Sequence, residues 1–109
     1  METRGDQPFV GTRRKNGTDD KGKPTFGPYE WKTYVEGDKI MDDLARGMHT
    51  LGLFSDPRMV DDKSWRFNGI WSLNCEEWAM TLLAAMHYNV TTVGFYDAMT
   101  PNQVDFILN

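Results

Sequence analysis

The sequence holds one cysteine, Cys75, so it can close no internal disulfide, which suits a reducing compartment. Histidine is almost as scarce. His49 and His87 are well separated, and neither has cysteines or carboxylates around it at metal-ligand spacing. No apolar run approaches a membrane span, and the N-terminal region lacks the apolar stretch of a signal peptide. The expectation is an intracellular protein, cytoplasmic or peripheral to an organelle membrane, with the sequons at Asn16 and Asn89 unused. Basic residues are not in excess: 12 Lys and Arg against 16 Asp and Glu leave a net charge of −4, which favours neither nucleic acid nor an anionic membrane. The cluster Arg13-Arg14-Lys15 is short, is offset by Asp19 and Asp20, and reads as part of a solvated loop.

What is present suits a soluble α/β chain. At 109 residues and 39% hydrophobic content there is room for one small domain. One stretch invites a functional reading. "NGTDDKGKP", residues 16–24, approaches a phosphate-binding loop, with Gly17, Gly22 and Lys23 in place and Pro24 where a Ser or Thr belongs. Such a loop cradles phosphate oxygens with backbone N–H groups at a helix start. Here Asp19 and Asp20 would repel the phosphates, Pro24 offers neither hydroxyl nor N–H, and no apolar helical run follows. The stretch reads as a polar connection between two extended segments.

Those segments are 7–14 and the alternating "YEWKTY" of 29–34, with Tyr29 and Trp31 on one side, which predicts a β-hairpin with a long loop across 15–28. Thr33-Tyr34-Val35-Glu36 is a capping box that starts a helix. Its apolar stripe is Ile40, Met41, Leu44, Met48 and Leu51, and Gly52 is its stop. Residues 55–64 are a loop by composition, and 65–73 read as a strand. A second helix is expected with Asn74 as N-cap, Glu77 at its third position, and Trp78, Leu82 and Met86 as its stripe, ending at Asn89. Residues 90–96 are a β-branched strand, and Thr100-Pro101-Asn102-Gln103 opens a last helix. The strand–helix–strand unit predicts parallel pairing through a right-handed crossover. Phe106, Ile107 and Leu108 form an apolar end to a short helix, so further sequence or a protein partner is expected to cover that surface.

Two blocks carry a resemblance. "GPYEWKTYVEGDKIMDDLARGMHTLGL" and "NCEEWAMTLLAAMHYNVTTVGFYDAMTPNQVDFILN" resemble, in order, the early part of the long-chain fatty acyl-CoA synthetases, members of the adenylate-forming superfamily, and "RGDQPFVGTRR" fits that family's opening strand. The resemblance implies that the chain is a partial N-terminal region, 1–109, of the family's large AMP-binding domain. It also implies ATP-dependent activation of a fatty acid through an acyl-adenylate to an acyl-CoA, with ATP, magnesium and coenzyme A as the family's cofactors. The family's Ser/Thr/Gly-rich phosphate loop has no match in these residues, and "GKPTFGP" has some of its letters in another order. No catalytic, cofactor-binding or metal-binding residue is therefore expected in this segment. What carries over is structural. Thr33, Glu36, Asn74, Glu77 and Thr100 match fold-shaping positions, and Trp78 and Tyr96-Asp97 match recurring ones, with Tyr96 read as a packed aromatic. Glu76 and Glu77 point about 100° apart on a helix and suit its positive end better than a shared acid–base role.

Overall fold

The structure, a computed structural model, describes residues 4–109. It separates into two compact units, Met1–Ile40 and Met41–Asn109, whose boundary falls within the first helix. The length predicts one domain, and the division reflects how little of the first unit is packed: its strands β1 (Pro8–Thr18) and β2 (Pro24–Thr33) are exposed over most of their length.

β1 and β2 form an antiparallel hairpin. The loop expected over 15–28 contracts to Asp19–Lys23, because pairing continues through Lys15↔Phe26 to Thr18↔Pro24. Pro24 and Pro28 suggested a loop, yet an outer strand without a further neighbour accommodates prolines. Register slips between Arg13 and Lys15, where Gly27 and Pro28 face a single residue. Arg13 secures that bulge. Its Nε donates to the Gly27 carbonyl at 2.7 Å and its Nη2 to the Phe26 carbonyl at 3.1 Å, while the guanidinium lies 5.9 Å from the Tyr29 ring centre. Arg14 pairs with Glu30 at 3.2 Å. The basic cluster thus belongs to a strand rather than to a solvated loop. Trp31 stacks on Tyr29 and covers Gly11, where any Cβ would meet the indole at 2.7 Å.

Helix α1 (Tyr34–Thr50) begins at the expected capping box: the Thr33 N–H donates to Glu36 Oε2 at 2.8 Å and the Glu36 N–H to Thr33 Oγ1 at 3.3 Å. It ends at Gly52, φ +68°, with the Leu53 N–H reaching back to the Met48 carbonyl. Within the second unit its buried positions are Ala45 and Met48, whereas Leu51 lies past the last helical residue and is exposed.

The segment expected as a loop over 55–64 contains a small hairpin, β3 (Arg58–Val60) with β4 (Lys63–Trp65). Asp61 and Asp62 both have positive φ, 48° and 60°, the pattern of a two-residue turn whose twist suits paired strands. Aspartate tolerates that region, so the turn forms without glycine. The chain then breaks at Arg66 before β5 (Phe67–Trp71), dividing the strand expected over 65–73.

β5 pairs in parallel with β6 (Thr91–Phe95) across helix α2 (Glu76–His87), as expected. Alternation sorts the sheet into two faces. Ile70 pairs with Gly94, and a Cβ on Gly94 would point at the Trp78 ring of α2, so α2 covers the face of Asn68, Ile70, Thr92 and Gly94. Phe67, Gly69, Trp71, Val93 and Phe95 belong to the other face, where helix α3 (Pro101–Leu108) brings Ile107 and Leu108 over Gly69, Val93 and Phe95. The expected stripe of α2 is corrected: Met80, Ala84 and Ala85 are buried and Met86 is exposed, because two alanines let the helix approach the sheet closely. Its N-cap is Cys75, not Asn74, and makes no side-chain cap bond. Asn89, φ 54°, ends it with the Val90 N–H bonded to the Ala85 carbonyl. At α3 the capping box of Thr100 and Gln103 forms, with Pro101 in the first turn. The described residues thus form an α/β structure of open two-stranded sheets and three helices.

Two outcomes follow from these contacts. A methyl group on Gly69 would sit 2.8 Å from the buried Phe95 ring, so Gly69→Ala is expected to destabilise the second unit by ~1–3 kcal/mol. Gly47→Ala, in the helix interior with open space around it, is expected to stabilise it by ~0.4–1 kcal/mol. Denaturant titration of both variants reads the opposite signs. The Glu36 carboxyl is held below its ordinary value of 4.5, first by the Thr33 N–H and then by the Thr33 hydroxyl. Its contribution is therefore complete above the ordinary value and lost as pH falls through the lower folded one. Acidification below pH 4.5 should release the Thr33 amide, seen as a shift of its NMR resonance that Glu36→Gln abolishes.

Candidate functional site

The phosphate-loop-like stretch is the tip of the β1–β2 hairpin. Asp19 Oδ1 accepts from the N–H groups of Lys21 and Lys23, each at 2.9 Å. The Asp19 carbonyl accepts from Gly22, and the Asp19 N–H donates to the Lys23 carbonyl. The backbone donors that would cradle an anion are already taken by an aspartate of the turn. A strand follows, not a helix, so no helix dipole stands behind the turn. Gly22, φ +77°, supplies the left-handed step that closes the turn.

A second location arises from topology. β5 runs out into α2 on one face of the sheet, and β6 runs out into α3 on the other. Adjacent parallel strands whose connections leave to opposite faces open a crevice at their carboxyl ends, the place where open α/β sheets hold ligands. A recess of about 700 Å³ occupies that position, lined by Ser72, Asn74, Trp78, Gly94, Tyr96 and Asp97 among others. The Trp71 indole N–H, donating to the Tyr96 carbonyl at 3.0 Å, ties the two strand ends together beside it.

The crevice brings Asn74 and Trp78, around the start of α2, together with Tyr96 and Asp97, just past the end of β6. Tyr96, read from sequence as packed, is 77% exposed there. Thr33 and Glu36 belong to the other unit, and Thr100 caps α3. Of the histidines, His49 stacks on Tyr88 with ring centres 4.9 Å apart, and His87 lies in the last turn of α2. Among the described residues no group of three or more His, Cys, Asp or Glu gathers to hold a metal ion. Sequence reasoning passed over Ser72 and Gly94. Their signal was position, since each stands at or near the carboxyl end of a strand of one parallel pair. The lining offers the Ser72 hydroxyl, the Asn74 amide, the Asp97 carboxylate and three aromatic side chains, Trp78, Phe95 and Tyr96, but no Lys or Arg, and Glu76 and Glu77 lie at the start of α2. Such a set presents polar and aromatic surface and brings no cationic side chain to a polyphosphate.

A second recess, of about 400 Å³, lies on the face under α3, walled by Ile107, Leu108, Phe95 and Val93 and bordered by Ser55 and Arg58. Among the described residues no helix is long and apolar enough to cross a membrane.

No protein-family profile matches the chain. No solved structure matches it. Several curated proteins do. The probable CoA ligase CCL6 of Humulus lupulus is 32% identical over 83 residues, 76% of this chain and 11% of the relative. Long chain acyl-CoA synthetase 2 of Arabidopsis thaliana is 32% identical over the same shares. The peroxisomal long chain acyl-CoA synthetase 7 of that plant is 28% identical over 100% of this chain and 13% of its own length. The chain thus spans 11–13% of the length of these relatives. Through this stretch the chain belongs to the long-chain acyl-CoA synthetase family.

Proposed function

We propose that these residues serve a long-chain fatty acid–CoA ligase as framework, and that the 109 residues by themselves do not catalyse the reaction. The carrying observation is the match over 76–100% of this chain to proteins named as CoA ligases and acyl-CoA synthetases, of which it spans only 11–13%. In the proposed activity a fatty acid carboxylate attacks the α-phosphate of ATP, and the acyl-adenylate passes its acyl group to the thiol of coenzyme A. That chemistry needs cations against developing phosphate charge and a loop of free N–H groups. The occupied donors of the Asp19 turn and the lack of Lys or Arg in the lining of the strand-end crevice support assigning the grip on the ATP phosphates, and with it magnesium and coenzyme A, to residues outside this stretch. The partner covering the apolar end of α3 is, on this reading, other polypeptide of a synthetase.

A second reading has one observation in its favour. Phe106 is 85% exposed and Leu108 64%, a surface that a different protein could also cover. On that reading the chain is a non-catalytic relative acting as a structural subunit of a larger assembly.

Purified chain, incubated with a long-chain fatty acid, ATP, magnesium and coenzyme A, is expected to form no acyl-CoA above the protein-free background. Measured turnover would overturn the framework assignment. Sizing the chain in native extract separates the two readings: a stable complex with unrelated proteins selects the subunit role.

A further inference from the structure

We propose that the outer edge of β5, at Gly69 and Trp71, is the seat of an additional parallel strand supplied by other polypeptide of a long-chain synthetase, so that the sheet order becomes new strand–β5–β6. This inference rests on the family reading above and names the edge through which the segment joins its sheet.

The ladder fixes which groups are on offer. The Thr91 N–H donates to the Arg66 carbonyl at 2.8 Å, and Phe67 pairs with Thr91. In a parallel pair this phase turns the backbone groups of Arg66, Asn68 and Ile70 toward β6 and those of Phe67, Gly69 and Trp71 away from it. At Phe67 the outward groups are met by Ser55: its N–H donates to the Phe67 carbonyl at 3.0 Å, and its Oγ accepts from the Phe67 N–H at 2.9 Å. Among the described residues no other strand pairs with β5, so the outward groups of Gly69 and Trp71 have no ladder partner. Ser55 thereby occupies the first rung and sets where an incoming strand begins.

Handedness selects this edge over that of β6. Crossovers between parallel strands of one sheet are right-handed almost without exception. α2 lies on one face and carries the chain from β5 to β6. α3 lies on the opposite face, so a right-handed crossover through it travels in the opposite direction, back past β6 and β5 to the far side of β5. The recess under α3 opens toward that side, where Ser55 and Arg58 border it, and Gly69, Phe95, Ile107 and Leu108 would receive the incoming side chains. Two parallel strands alone are too few for a stable sheet, and parallel sheets are normally buried on both faces. The relatives carry the matched stretch as 11–13% of their length, leaving ample polypeptide to supply the strand.

Amide hydrogen exchange tests the assignment. In the 109-residue chain the Gly69 and Trp71 amides are expected to exchange without protection. The comparison protein is Arabidopsis thaliana long chain acyl-CoA synthetase 2 in which the 83 matched residues are exchanged for those of this chain. There both amides should exchange at least about 100-fold more slowly, as paired ladder groups do, while the outward amides of Thr92 and Gly94 on β6 stay fast. Protection of Thr92 and Gly94 instead, or of neither pair, overturns the inference. A chimera that does not fold also overturns it, because the segment then fails to seat in the acceptor's sheet. Protection of Gly69 and Trp71 in the 109-residue chain alone as its concentration rises would give the edge to a second copy and likewise refute the assignment. Acyl-CoA formation is read in parallel. An active chimera with unprotected Gly69 sinks the strand and leaves the ligase reading intact, whereas a protected but inactive chimera supports the strand and counts against that reading.

Discussion

Parallel pairing of Phe67–Trp71 with Thr91–Phe95 is the constraint on which the second unit depends. Parallel strands cannot be joined by a tight turn, so the chain must travel the length of a helix before it returns. That requirement makes α2 cover one face of the pair, and the close fit is achieved by alanine: Ala84 and Ala85 are fully buried, and Trp78 lies against the bare backbone of Gly94. The opposite face is served by the short α3, with Val104 as its only buried residue. One face is therefore closed and the other is half-closed, and the recess under α3 follows from that imbalance.

How much of this was legible in the sequence depends on how local the signal was. The capping boxes at Thr33/Glu36 and Thr100/Gln103 form as read, because such a motif satisfies its own donors within four residues. The helix stops at Gly52 and Asn89 do the same through a left-handed backbone step. The rotation of α2 was not legible. Most positions from Trp78 to Met86 are apolar, so several stripes fit the period, and only the sheet decides which one is buried. The shift of its N-cap from Asn74 to Cys75 is a one-residue difference at a boundary that periodicity does not resolve.

The remaining discrepancies share a cause. Composition marked 15–28 as a loop because it is rich in Gly, Pro and Asp, and 55–64 because of its Ser, Pro and Asp, yet both contain paired strands. In the first, the Arg13 guanidinium binds carbonyls left free at the bulge, a long-range substitution that no local pattern announces. In the second, two aspartates adopt the backbone region usually left to glycine. The crevice was partly legible. Trp78, Tyr96 and Asp97 stood out by resemblance, but their convergence is a property of the two-faced crossover and not of spacing along the chain.

The lone thiol acquires a practical meaning from its position. Cys75 is exposed and sits one residue from Asn74, at the rim of the crevice where β5 gives way to α2. With no other cysteine in the chain, a maleimide dye attaches there alone. Its emission would report the polarity of the strand-end hollow without any engineered residue, making the wild-type protein its own fluorescent sensor of whatever settles there.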